Sequence, residues 1–372
     1  MKALFNDHLK ERLALLENAL DRFKLDGLVL SAGSEGHYYQ DDQAFPFHTN
    51  HHFRHYCPVE GAGHVIVLTP GRKPLLCHFC PDDFWYEHSP LGQPYWIEAF
   101  EVKTFGSREA LWKRVSAYSS HGYLGPENEQ AIESGLQPVP ESLQHHLNWY
   151  RAYKSPYEVH CVDRATGIAV NGHKAARDVF LKGGAEFDIH MAYLAATRMK
   201  DADLPYTAIV GVDEKAAILH YPEKRHEPQN GRVMLIDSGA QFGGYASDIT
   251  RTHASRRASP EFVALLESMD REQQSLCKDI HAGMNFGELF HQSHLAVGRV
   301  LLAHGLLIGV NEVEAVDEGL TTVFYPHGVS HMLGIQVHDV GSKQLDLEGT
   351  MYEKDDTRPT RTVMRPIEAG HL

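Results

Sequence analysis

The sequence is poor in several things, and each shortage narrows what it encodes. There is no block of lysine or arginine: 35 basic against 49 acidic residues leave a formal charge of −14. That balance excludes nucleic acid and anionic membrane surfaces as natural partners. No apolar run is long enough to span a bilayer, and the charged, amphipathic start from Met1 to Arg12 lacks the apolar core of a secretion signal. Cysteine is scarce. The five (Cys57, Cys77, Cys80, Cys161, Cys277) are odd in number and scattered, which suits a reducing cytoplasm with buried thiols and not a disulfide framework. Cys77 and Cys80 have the spacing of half a zinc site, but no second pair accompanies them. Solenoid repeats and low-complexity tracts are absent too.

What is present is an ordinary globular composition, 42% hydrophobic and 23% charged, over 372 residues. That length exceeds one typical core and implies two domains. Residues 1–153 alternate helical and strand-like runs: a helix over 5–24, strands at 25–30, 63–68, 74–79 and 122–126, with an irregular stretch at 32–60. This is the pattern of an α/β domain. The boundary falls near 153, because Ser155, Pro156 and Glu158 form a capping box that opens a long helix. Residues 154–372 carry helices in pairs (155–182 with 186–199, and 259–280 with 287–304) around antiparallel strands, an α+β pattern. Strand-like runs flank Asp213 and Glu214, and the last 30 residues read as loop. Histidine is abundant, at 26 copies. Four of them (His48, His51, His52, His55) cluster. A metal site is one reading of that cluster; a polar loop or interface is the preferred one.

The chain is organised around residues 233–253. An apolar run from Val233 to Ile236 leads into a turn at Gly243-Gly244, and a run rich in β-branched residues (Ile249, Thr250, Thr252) leads out. In such a hairpin Asp237 and Asp248 lie opposite or one diagonal apart, on one face. Two adjacent carboxylates repel and lose hydration, a conflict that a bound cation removes. A surface hairpin with two unrelated, solvated aspartates is the alternative. Three histidine features join them: His220 after the run Ile218-Leu219, the pair His327 and His331 four apart, and His338 seven beyond. Carboxylate and imidazole together suit Mn²⁺, Co²⁺, Fe²⁺ or Zn²⁺.

The segments Asp237-Ser238-Gly239-Ala240, Tyr245 to Thr252, and Pro326 to Asp339 resemble the metal-binding motifs of the prolidase and aminopeptidase P family. The likeness is greatest to its bacterial Xaa-Pro dipeptidase and organophosphorus acid anhydrolase branch. Supporting stretches are 41–47, 150–155, 171–176 and 217–221, so the resemblance spans nearly the whole chain. It implies an α/β N-terminal domain followed by an α+β "pita-bread" domain. It also implies two divalent metal ions, Mn²⁺ foremost, and hydrolysis of Xaa-Pro dipeptides by hydroxide held between them, in a cytoplasmic homodimer. Carried over position by position, Asp237 binds one metal, Asp248 bridges both and His331 binds the second. His327 stands nearby, while His220 and His338 hydrogen-bond the substrate carbonyl and the tetrahedral intermediate. Tyr206, Leu219, Val337 and, from a partner subunit, Asp42 line the pocket.

The sequence also departs from that family. Two glutamate-bearing strands, Thr-Ile-Glu-Pro-Gly and Arg-Ile-Glu-Asp, are not in it. Its late acids (Asp346, Glu348, Glu353, Asp355, Asp356, Glu368) sit in loop-like sequence and are not expected ligands. Ser330 replaces a glycine usual between the histidines. The expectation is therefore a pita-bread domain truncated before its last strands, supplying three metal ligands where the family has five. Two further activities stay open: phosphotriester hydrolysis at the same site, and a catalytically inactive binding protein.

Overall fold

A computed structural model describes residues 1–88, 90–126, 128–353 and 365–372. The chain divides into two compact units, residues 1–151 with 155–160, and residues 152–154 with 161–372. The late acids Asp355 and Asp356 lie outside the described residues.

In the first unit, helix α1 (Lys2–Phe23) leads into strand β1 (Leu28–Ser31). A short helix α2 (His51–Tyr56) follows, then strands β2 (Val65–Leu68), β3 (Leu75–Phe79) and β4 (Glu101–Phe105). Helix α3 (Arg108–Val115), strand β5 (Gly122–Leu124), helix α4 (Glu129–Glu133), strand β6 (Gln137–Pro138) and helix α5 (Glu141–Arg151) complete it. The six strands form one mixed sheet in the order β4-β3-β2-β1-β5-β6. β1 and β2 are buried on both faces, as continuous apolar runs in a covered sheet should be. Val29, Val67, Cys77, Leu111, Trp112 and Tyr123 share a core beneath α3. The cysteine spacing at 77–80 is thus a strand feature: Cys77 is buried in that core and Cys80 follows the strand end. The stretch 32–60 is not wholly irregular. α2 forms within it because the Asn50 side chain accepts the His52 N–H at 2.9 Å, capping six residues.

Helix α6 (Pro156–Leu181) begins in the first unit and continues from Cys161 in the second, which carries helix α7 (Glu186–Thr197), then strands β7 (Ile209–Val212) and β8 (Val233–Asp237). Strands β9 (Gln241–Phe242), β10 (Tyr245–Ala246) and β11 (Thr250–Ala254) follow. Helices α8 (Pro260–Asp279), α9 (Phe286–Ala303), α10 (Glu312–Asp317) and α11 (Leu320–Phe324) come last. β11, β8 and β7 form an antiparallel sheet in that order. Met234 and Ile236 point into a core with Ala176, Phe180, Ile189 and Tyr193 of α6 and α7. By the period of two, Val233, Leu235 and Asp237 then occupy the opposite face.

Only one of the two strand-like runs around Asp213 is a strand. Asp213 adopts a left-handed φ of 53°, and its carboxylate accepts the N–H groups of Arg232 (2.8 Å) and Val233 (3.0 Å). The chain turns there into a 3₁₀ helix (Asp213–Ala217), so Ile218 and Leu219 are exposed and not paired in a strand. Among the described residues no helix is long and apolar enough to cross a membrane.

Glu186, in the first turn of α7, fastens this unit. Fully buried, it accepts from the N–H of Val212 (2.9 Å), the N–H of Arg225 (2.8 Å), the Arg225 guanidinium (2.8 Å) and the Tyr221 hydroxyl (3.1 Å). Burial opposes its charge, but these donors outweigh burial and hold the carboxyl below the ordinary glutamate range. Its stabilisation is therefore complete above that range and is lost as pH falls through the lowered folded value. Glu186→Gln should destabilise the protein by about 3 kcal/mol in urea unfolding at pH 7, and by less at pH 4.

Candidate metal centre

The hairpin holds one register throughout. Asp237 faces Thr250, and Phe242 faces Tyr245 across the Gly243-Gly244 turn. Both glycines have positive φ (60° and 88°), the geometry of a two-residue hairpin turn matched to strand twist. Continued between those pairs, the register sets Asp248 opposite Gly239, one diagonal from Asp237. Gly239 has no room for a side chain: a Cβ there would lie 2.0 Å from the Ser247 carbonyl oxygen and 2.8 Å from the Tyr206 ring. The space a side chain would fill is taken by the Ser247 carbonyl and the Tyr206 ring.

The Tyr206 hydroxyl stands 2.7 Å from Asp237 Oδ1 and 2.9 Å from Asp248 Oδ1. A phenol has one proton, so it donates to one carboxylate at a time. The second contact is tolerable only where a carboxyl is protonated or a cation is present. The two aspartates respond differently. Burial pushes Asp237 above the ordinary range, the charge of Asp248 adding to it against the Tyr206 hydrogen bond. Burial acts on Asp248 too, but hydrogen bonds from His331 and Tyr206 outweigh it and hold Asp248 below that range. The phenol itself is pushed far up, first by burial and then by the two carboxylates.

His331 Nε2 lies 3.2 Å from Asp248 Oδ2. Its ring is 4.1 Å from that of His338, centroid to centroid. One ligand atom from each of Asp248, His331 and His338 lies within 4.8 Å of the others. An oxygen and two imidazole nitrogens converging in a half-buried site make a donor set that fits a divalent transition metal. The hydrogen bond to Asp248 raises His331, whereas burial and then the neighbouring His331 lower His338.

Of the other expected site residues, Val337 borders the trio, its backbone hydrogen-bonded to His331. His220 and Leu219 are exposed in the turn after the 3₁₀ helix. His327 is exposed, with its Nδ1 3.0 Å from the Gly328 carbonyl and its ring edge-on to Tyr325. Val337 is half-buried, and Asp42 is exposed in the first unit.

Three features of the site have no one-dimensional signature. Lys154 Nζ and Asp339 Oδ2 form a 2.9 Å ion pair, its side chains 0% and 2% exposed, between residues 185 apart in sequence. Gly334 passes so close that a Cβ would lie 2.3 Å from Asp339 Oδ2, and its carbonyl accepts the Ala246 N–H at 2.8 Å. The segment carrying His331 and His338 is thereby fixed to the strand that precedes Asp248. On the other side, His173 of α6 contacts the Ser238 carbonyl through Nε2 at 3.0 Å, beside Asp237. His173, Lys154 and Asp339 all occur in motif stretches noted above, but spacing alone gives them no partner.

Comparison with known proteins is decisive at this point. Residues 160–366 match the family described as metallopeptidase family M24, and residues 3–149 match the N-terminal domain of Xaa-Pro dipeptidase. The chain belongs to metallopeptidase family M24. It is 36% identical to the Xaa-Pro dipeptidase of Proteus mirabilis over 99% of this chain and 84% of that protein. It is 35% identical to that of Serratia proteamaculans, over 100% and 85%. The fold is that of solved Escherichia coli aminopeptidase P: TM-score 0.74 at 21% identity to a complex with the inhibitor Pro-Leu, over 94% of this chain and 84% of that one. A zinc-substituted product complex gives TM-score 0.75 at 19% identity, over 98% and 93%. The architecture is thus an α/β N-terminal unit and an α+β pita-bread unit. The likeness covers 93% of that neighbour, and the chain spans 84–85% of the length of the two dipeptidases.

Two measurements test the site. Lys154→Met leaves Asp339 buried without its cation and should cost about 3–5 kcal/mol in denaturant unfolding. Because Asp248 keeps His331 protonated to higher pH, a metal arriving there must displace a proton. Mn²⁺ affinity, followed by calorimetry, should fall as pH drops through the raised His331 value; lowered His338 adds no such penalty near neutrality.

Proposed function

We propose that this chain hydrolyses Xaa-Pro dipeptides with two divalent metal ions, and that Asp237, Asp248 and His331 hold them. The observation that carries the reading is His331 Nε2 3.2 Å from Asp248, with Asp248 joined to Asp237 through the Tyr206 hydroxyl. Its setting in an M24 chain akin to named Xaa-Pro dipeptidases supports it. When bound, the metals supply Lewis acidity at the scissile carbonyl and lower the pKa of water.

The chain's own residues do the rest. Asp248, which His331 and Tyr206 hold ionised, would be the ligand common to both metals. Tyr206 holds both carboxylates in position and controls where their shared proton sits. His338 is the exposed member of the cluster, and we assign it to hydrogen-bond the carbonyl oxygen as negative charge develops there. His220 is assigned the same role from the opposite turn, and His327 a supporting one. Leu219 and Val337 line the apolar side that accepts the proline ring. Asp42, contributed by a partner subunit of a homodimer, limits the pocket to dipeptides by meeting the free amino terminus. Mn²⁺ is the assigned metal and the cytoplasm the assigned compartment. The acidic charge and scattered thiols agree with that compartment.

Proline release from Ala-Pro in the presence of Mn²⁺ is the test. Chelation should abolish it and Mn²⁺ restore it. Asp248→Asn should lose both metal and activity, while His338→Ala should lower kcat by about 10²–10³-fold with metal content intact. A folded, metal-loaded protein that releases no proline would overturn the proposal in favour of a binding role. Faster turnover of a phosphotriester than of Ala-Pro would overturn the substrate assignment.

A further inference from the structure

The histidine-rich segment near residue 50 takes no part in the function above, yet it contributes to a second convergence of ligand atoms. His8 of α1, His55 of α2 and Glu158 of α6's first turn all belong to the first unit. One ligand atom from each lies within 4.8 Å of the others. The three residues are 1%, 4% and 2% exposed, so this is no solvated surface cluster.

Each side chain is set as a ligand would be. His8 Nε2 lies 2.8 Å from the His55 carbonyl oxygen, to which it can only donate. Nδ1 therefore carries the lone pair, and it lies 3.7 Å from Glu158 Oε2 and 2.8 Å from the Ser155 hydroxyl. A backbone carbonyl holding one ring N–H while the other nitrogen faces a carboxylate is the usual support of a metal-bound histidine. Glu158 is oriented in turn by the Ser155 N–H at 2.9 Å. His55 Nε2 is buried 3.2 Å from Glu158 Oε1. A buried imidazole nitrogen this close to a carboxylate oxygen can share a cation with it.

Protonation states agree with that placement. Burial lowers both imidazoles, His55 to about 4, against the pull of Glu158, so both present lone pairs at neutral pH. Glu158 is held below the ordinary glutamate range against burial, first by His55 and His8 when they carry a proton and then by Arg12, so a cation arriving here takes the place of the protons shared in the cluster. Arg12 also feels this cluster, but its guanidinium engages the Tyr150 carbonyl and Glu11. A cavity of about 20 Å³ bordered by Arg12, His52, His55 and Tyr56 adjoins the site. It has room for one water.

We propose that His8, His55 and Glu158 form a buried divalent-cation site of the Zn²⁺ class in the first unit, additional to the Asp248 centre. Two imidazoles and one carboxylate, with no thiolate, suit Zn²⁺ and Co²⁺. Its role is structural: the cation would tie α1, α2 and the start of α6 together.

The test uses the full chain with Asp248→Asn and His331→Asn, which silence the other centre. After Zn²⁺ loading and dialysis, elemental analysis should find one retained equivalent. Adding His55→Gln or His8→Gln should remove it. Anomalous diffraction at the zinc edge, on crystals of the chain without either added variant, gives a readout independent of their folding. A peak among His8, His55 and Glu158 supports the site. No retained zinc, zinc that survives both added variants, or a peak only elsewhere would overturn it.

Discussion

Tyr206 brings one phenolic proton to two carboxylates, at 2.7 and 2.9 Å, and the second unit is arranged around the resulting conflict. Two aspartates on one face of a hairpin, partly removed from water, cannot both be ionised cheaply. The protein separates them electrostatically. Asp237 is pushed toward the protonated form by burial, and Asp248 is kept ionised against burial by His331 and Tyr206. A divalent cation resolves the same conflict more completely, because it replaces a single proton with two charges. The energetic demand of the site and its chemical capacity are thus one property.

That arrangement requires the hairpin and the histidine segment to stay in fixed relation. The hairpin is stiff because its register is continuous from Asp237 to Thr250 and because Gly239 admits the Tyr206 ring. The segment from His331 to Asp339 contains no helix or strand, so something else must hold it. The Lys154–Asp339 pair does so, excluded from water and packed against Gly334, whose carbonyl bonds to Ala246 two residues before Asp248. A buried ion pair is a weak source of net stability, but it tolerates few alternative arrangements. It suits a segment whose task is to place two imidazoles.

Much of this was legible in the sequence wherever the signal is local. The capping box at Ser155–Glu158 marks α6, Ser259 and Pro260 mark α8, and the apolar period marks α1 and α9. The diagonal placement of Asp237 and Asp248 follows from the period of two and a glycine turn. Local signals mislead where a side chain acts at a distance. Ile218-Leu219 has the composition of a strand, but Asp213 captures two N–H groups some twenty residues away and turns the chain first. The segment near 50 has the composition of a loop, but Asn50 caps a helix there. His55 could not be told from His48 or His51 by composition, although it alone of those three is buried beside Glu158.

By itself, the sequence determined the two-part organisation it implies, the hairpin and the ordered acid and imidazole motifs that mark family M24. Each of these depends on neighbours within a few residues or on residue type in a fixed order, and both are properties of a line. Only the tertiary structure decided which groups meet: Tyr206 between two aspartates 31 and 42 residues away, Lys154 with Asp339 across 185, and His8 with Glu158 through the enclosure of three helices. It also decided their charge states, because desolvation and the field of a nearby charge depend on distance in space, which the order of residues does not contain.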